Sequence, residues 1–145
     1  MNVRGAMSPR VISVSPDWTV QKAADVLARS QVSGAPVVKG GRVVGVLSET
    51  DILRVLVREP KATVLSYLAS LPSPRDALSD APLVADAMTT DVVTISPDED
   101  IRFAAKLMED SDVNRLPVVE DGGKVVGIVA RADLVHLIAL RGEGL

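Results

Sequence analysis

Two β-branched runs, RVISV at 10–14 and DVVTI at 91–95, each stop at Ser-Pro-Asp, and each is followed by apolar residues at helical spacing. Thr19 and Asp100 take the N-cap positions of the two predicted helices. Their apolar faces run Val20, Ala23, Ala24, Leu27 and Ile101, Ala104, Ala105, Met108. APVV (35–38) and LPVV (116–119) open a second strand, and a glycine-bearing turn follows, KGG or EDGG. RVVGVLS (42–48) and KVVGIVA (124–130) form a third strand, apolar enough to be buried on both faces. A closing helix begins near Glu49 and again near Arg131. The pattern predicts β-α-β-β-α, twice.

The two copies are one sequence repeated. A shift of 81 residues lays the 33 residues from Ala6 on those from Ala87 with 13 identities, and the shift becomes 82 after the turn. The extra residue falls in the glycine turn, where insertions are tolerated. Each copy, at about 55 residues, is too small to bury its sheet well alone, so the two should pack against each other. The organisation is a first repeat at 3–58, a connector at 59–83 and a second repeat at 84–141. The connector region holds four prolines; ATVLSYLASL (62–71) reads as a short helix and PSPRDALSDAP (72–82) as loop.

Composition narrows the chemistry. With 145 residues, 47% of them hydrophobic, the chain can build a real core. A net charge of −3 and a pI near 5.1 argue against a partner made of nucleic acid. There is no cysteine, which removes disulfides, thiolate catalysis and sulfur-ligated metals, and a single histidine, His136, makes zinc catalysis a poor fit. The first ten residues lack the apolar run of a signal peptide, and no stretch approaches the roughly 18 apolar residues of a membrane span. A cytoplasmic protein without membrane contact is the expectation. Trp18, Tyr67 and Phe103 are the only aromatics, so a flat ligand would be held by aliphatic contacts and backbone groups rather than by ring stacking.

Met-containing openings (GAMSP, DAMTT), then VSPD and ISPD, APVV and LPVV, and finally GVLSETD (45–51) and GIVARAD (127–133), in that order and twice over, resemble a CBS-domain pair. The resemblance covers nearly the whole chain apart from the connector. It implies an α/β (α+β) fold in which tandem β-α-β-β-α repeats pack with pseudo-two-fold symmetry and leave two clefts between them. It also implies adenosine-containing ligands (AMP, ADP, ATP or S-adenosylmethionine), a regulatory role, and, for a pair with no effector domain attached, dimerisation.

The repeated G-h-x-x-x-x-D (h apolar) has two readings. Ser48 at the N-cap with Asp51 three residues on is a helix cap, with a negative charge where the helix dipole favours it. The same carboxylate can accept hydrogen bonds from both hydroxyls of a ribose, the role that the resemblance gives to this aspartate. In the second copy Asp133 stays while Ala130 replaces the serine, and its retention without a capping partner favours a ligand or dipole role. By resemblance, one cleft would join Ser48, Thr50 and Asp51 to Thr90–Thr94 and to the turn Asn114, Arg115, Pro117; with few aromatics, adenine would be gripped by apolar side chains and backbone groups near Val11–Ser13 or at Val92, Val93 and Thr94. Arg115 offers a planar fork to phosphate there. The other would join Arg131 and Asp133 to Arg10, Val11, Ile12 and the turn Ser33, Gly34, Ala35, Pro36, where glycine replaces the arginine. Asp51's cleft should therefore bind nucleotide better than Asp133's.

Simpler roles stand beside these. Arg115 also reads as a solvated side chain, Pro36 and Pro117 as strand punctuation, and His136 as a surface or interface position. Trp18 reads as an exposed dimer contact. ILRVLV (52–57) and LVHLIAL (134–140) are apolar around more than one face, which points to a homodimer through the closing helices. No triad, metal cluster or activated pair supports catalysis. The expected function is a non-catalytic sensor of an adenine nucleotide, AMP first, with an unidentified client protein. The alternatives are an S-adenosylmethionine binder and a ligand-free dimerisation scaffold.

Overall fold

The computed structural model describes residues 1–58 and 82–142, so the expected helix at 62–71 and most of the connector lie outside the described residues. In the first repeat the elements are α1 (Val3–Ala6), α2 (Val20–Ser30), β1 (Gly34–Lys39), β2 (Arg42–Ser48) and α3 (Glu49–Arg58). The second repeat carries α4 (Val84–Ala87), α5 (Ile101–Asp110), β3 (Arg115–Glu120), β4 (Lys124–Ala130) and α6 (Arg131–Arg141). The mixed helix and strand composition and the order of the main elements agree with the pattern in the sequence.

Local chemistry explains most boundaries. The Thr19 hydroxyl accepts from Lys22 N at 3.1 Å and the Asp100 carboxylate from Arg102 N at 2.8 Å, capping α2 and α5. Val20, Ala23 and Leu27 of α2 are buried, as are Ile101, Ala104 and Met108 of α5, whereas Ala105 faces solvent. Both hairpin turns take the left-handed backbone that glycine tolerates, at Gly40 and Gly41 and at Gly122 and Gly123. β3 and β4 pair antiparallel from Arg115↔Ala130 to Glu120↔Lys124, with a bulge between Val118 and Val119. Burial of the third strand is less complete than its composition implies. In β2 only Gly45 and Leu47 are buried, and in β4 only Gly127 and Val129.

The runs at 10–14 and 91–95 do not form regular strands. Each joins a hairpin by one parallel bridge, Val14 to Val37 and Ile95 to Val118. Val14 N donates to Pro36 O at 3.1 Å and Val38 N to Val14 O at 2.9 Å; Ile95 N and Val119 N repeat this with Pro117 O and Ile95 O. The next rung back would need an N–H from Pro36 or Pro117, which proline lacks. Pairing stops there, for a reason that lies on the neighbouring strand.

Two compact units result, and they are not the two repeats. Of the described residues, the first unit holds Ile12–Lys39 and those of Val44–Thr90; the second holds Met1–Val11, Gly40–Val43 and those from Asp91 onward. Each repeat gives its opening segment to the body of the other. Val84 N and Ala85 N donate to the carbonyls of Trp18 and Pro16, at 2.8 and 3.0 Å. At the matching positions of the second unit, Val3 N and Arg4 N donate to Glu99 and Pro97, at 2.8 and 2.9 Å. Val3 and Val84 are fully buried, Val3 with Ile95, Leu116 and Val129, and Val84 with Val14, Leu27 and Leu47. Full burial of one valine side chain is worth about 1.5–3 kcal/mol.

Glycine permits the docking. A Cβ on Gly45 would lie 2.6 Å from Met88 Sδ and 3.0 Å from the Thr89 carbonyl oxygen; on Gly127 it would lie 2.7 Å from Met7 Sδ and 2.9 Å from that of Ser8. Across each of these seats the backbones pair both ways, Thr89 with Val46 and Ser8 with Ile128.

Candidate functional site

In the first unit, β2 runs directly into α3, and the junction builds a complete capping box. Asp51 N donates to Ser48 Oγ at 3.2 Å, while Ser48 N and Ser48 Oγ donate to Asp51 Oδ2 at 2.9 and 3.0 Å. Asp51 Oδ1 accepts from Thr89 Oγ1 at 3.2 Å and from the Arg54 guanidinium at 3.4 Å. The residue is only 5% exposed. Its neighbour Thr50 is exposed on the same first turn. The turn before β1 closes against this junction, with Glu49 N donating to Ser33 O at 2.9 Å. Gly34 sits so near β2 that a Cβ would come within 3.1 Å of Leu47 O. Ala35 and Pro36 are buried, so their side chains shape the strand, and Ile12 is 41% exposed.

In the second unit the junction of β4 and α6 has half of that box. Ala130 N donates to Asp133 Oδ2 at 2.7 Å, and alanine offers no oxygen in return. Asp133 therefore keeps half of the capping role without a serine partner, a contribution that stands beside the ligand or dipole role expected for it. Asn114 O accepts from Arg131 N at 2.8 Å, which brings the turn before β3 to the start of α6. Arg115 is half-buried, Pro117 is buried, and Arg10 and Arg131 are exposed. Each turn thus meets the closing helix of its own repeat. Asn114, Arg115 and Pro117 belong to one unit and Asp51 to the other, while Ser33–Pro36 share a unit with Asp51 and not with Asp133.

An open depression of about 590 Å³ lies between that turn and one face of α6. Asn114, Arg115, Arg131 and His136 bring the polar groups, Ala130, Ala132, Val135 and Ala139 the apolar wall, and among the described residues no carboxylate lines it. His136 therefore shares a wall with two guanidinium groups, which its surface reading did not include. The spacing 131, 132, 135, 136, 139 is one helical face and was the available signal.

Where the first-strand runs stop pairing, backbone is left over. Among the described residues, the peptide groups of Val11, Ile12 and Ser13 make no hydrogen bond, nor do those of Val92, Val93 and Thr94. These are matching positions in the two copies, and all six residues are at least partly accessible. Trp18, read as an exposed dimer contact, is half-buried against the core of the first unit, with Lys22 Nζ 4.2 Å from its ring centroid. Among the described residues there is no group of three or more acidic or histidine side chains able to hold a metal ion, and no helix long and apolar enough to cross a membrane.

Comparison with known proteins matches the CBS domain at residues 3–58 and 84–140. An uncharacterised protein of Methanocaldococcus jannaschii is 37% identical over 131 residues, covering 76% of this chain and 75% of its own. The CBS domain-containing protein YhcV of Bacillus subtilis is 32% identical, covering 92% and 82%. Inosine-5′-monophosphate dehydrogenase of Korarchaeum cryptofilum is 29% identical over 87% of this chain, which spans 22% of that enzyme. Among solved structures, CBSX2 in complex with AMP superposes with a TM-score of 0.77 at 28% identity, covering 98% of each chain. The CBS domain pair of MJ0100, solved with 5′-methylthioadenosine and S-adenosyl-L-methionine, gives 0.76 at 24% identity, covering 97% and 98%; at that identity it speaks for the fold.

Proposed function

The chain belongs to the CBS-domain family, and on that premise we propose that it is a regulatory module that binds an adenine nucleotide, AMP before ATP or S-adenosylmethionine, without altering it. The unpaired backbone at residues 11–13 and 92–94 carries this reading. Amide N–H and C=O groups in an accessible, partly apolar stretch suit the edge of a purine, which a chain with three aromatics must grip without stacking. Each first turn supplies a carboxylate for ribose, Asp51 with Ser48 and Thr50 in one repeat and Asp133 with Arg131 in the other. Arg10, Asn114 and Arg115 are the candidate phosphate donors. Likeness to CBSX2, solved with AMP, supports AMP as the first ligand to test. The similar segment in a dehydrogenase several times longer supports a regulatory rather than a chemical task.

One observation favours a second reading, a dimerisation scaffold with no ligand. Leu53, Leu56 and Val57 of α3 and Val135 and Leu140 of α6 are exposed, and a second copy of the chain is the proposed cover for these closing helices.

Calorimetric titration with AMP, ATP and S-adenosylmethionine separates the readings. The sensor predicts saturable heat, AMP strongest. With one Trp and one Tyr the protein absorbs weakly at 280 nm, so co-purified adenine would also pull its maximum toward 260 nm. Absence of heat with all three ligands leaves the scaffold.

A further inference from the structure

We infer that the Thr89 hydroxyl is a built-in competitor for the carboxylate of Asp51: a ribose reaches Asp51 only by displacing that hydroxyl, and among the described residues no such tie guards Asp133. The inference rests on the reading of these aspartates as ribose ligands.

A carboxylate offers about four lone-pair positions. At Asp51 four donors already use them: Ser48 N, Ser48 Oγ, Thr89 Oγ1 and the Arg54 guanidinium. Arg54 is 60% exposed and its contact is long, so solvent replaces it at little cost. Ser48 is part of the cap. Thr89 is therefore the donor a ribose must displace, and its backbone is docked in place. Its N–H and C=O both pair with Val46 at 2.9 Å, and the preceding Met88 sits against Gly45. Among the described residues Asp133 accepts one bond, from Ala130 N, and it is more exposed than Asp51.

The comparison between copies isolates the hydroxyl. Ser8 occupies the position of Thr89, pairs its backbone with Ile128 at 2.8 and 2.9 Å, and follows a methionine seated on glycine. Its Oγ turns to Arg10 O at 3.4 Å instead of to the aspartate. Backbone docking is common to both copies; the side-chain tie exists in one. The order expected from Ser48 and Ala130 is thereby reversed, and Asp133 receives the ribose first.

Titration of the full chain with AMP tests this in the wild type, Thr89→Val, Asp133→Asn and the Thr89→Val/Asp133→Asn double variant. Asp133→Asn should weaken binding at least roughly ten-fold, and Thr89→Val should restore it in the double variant by a similar factor, the scale of one hydrogen bond to a charged group. Wild-type affinity in Asp133→Asn, or no gain from Thr89→Val, overturns the inference and leaves the nucleotide reading standing. Hydrogen exchange without nucleotide gives an independent reading: Thr89→Val should speed exchange of the Thr89 and Val46 amides several-fold, while Ser8→Ala leaves those of Ser8 and Ile128 unchanged. Unchanged exchange in Thr89→Val removes the tie whatever AMP does. If exchange responds and AMP binds none of the four proteins, the nucleotide reading falls, and the competitor with it.

Discussion

At the residue scale, Ser48 and Ala130 form a natural experiment in helix capping, because their helices begin with the same geometry and differ by one oxygen. Ser48→Ala should cost about 1 kcal/mol, and Ala130→Ser should add a similar amount by completing the second box; urea unfolding midpoints of the two variants check both signs. The capping half of the G-h-x-x-x-x-D motif was legible, since a cap is set by neighbours along the chain. Its other half was not. Thr89 reaches Asp51 across 38 residues, and nothing in a local pattern says which hydroxyl will fill a carboxylate's remaining positions. Gly45 and Gly127 teach the same lesson. Their recurrence is visible in the sequence, but the reason for glycine is a methionine and a backbone carbonyl from the opposite repeat.

At the element scale, helices were easier to read than strands. α2 and α5 carry their caps and their apolar faces in consecutive residues. The runs at 10–14 and 91–95 have strand composition, yet the donor that would have paired them is missing from Pro36 and Pro117 on another strand. Beyond that point, among the described residues, the backbone of residues 11–13 and 92–94 makes no hydrogen bond. The closing helices make the other prediction at this scale. α3 exposes Leu53 and Val57 at 59% and 83%, and Leu53→Glu with Val57→Glu should convert a dimer to a species near the chain mass of 15.3 kDa in sedimentation. A wild type that already sediments at that mass would remove the proposed interface.

At the scale of the whole molecule, the repeat was legible from a shift of 81 residues, but the exchange of opening segments was not, because similar copies give the same pattern whichever body a segment docks on. The exchange makes neither repeat sufficient. A fragment holding residues 84–145 lacks Val3 from its core, and one holding 1–58 lacks Val84. Each alone should show little native circular dichroism, and an equimolar mixture should recover a cooperative unfolding transition. Independent folding of either fragment would mean that the exchanged segment is dispensable.

The exchange also sets an order of events on the ribosome. The first unit ends at Thr90, so its residues have all been synthesised while much of the second unit is still unmade. Residues 1–11 emerge before the whole of the first unit, yet belong to the unit that is completed last. At roughly 5–20 residues per second they wait several seconds for their place. Through that interval Val3 and Met7 are apolar side chains with nowhere to go, which makes residues 1–11 a stretch open to a chaperone until the second unit is made.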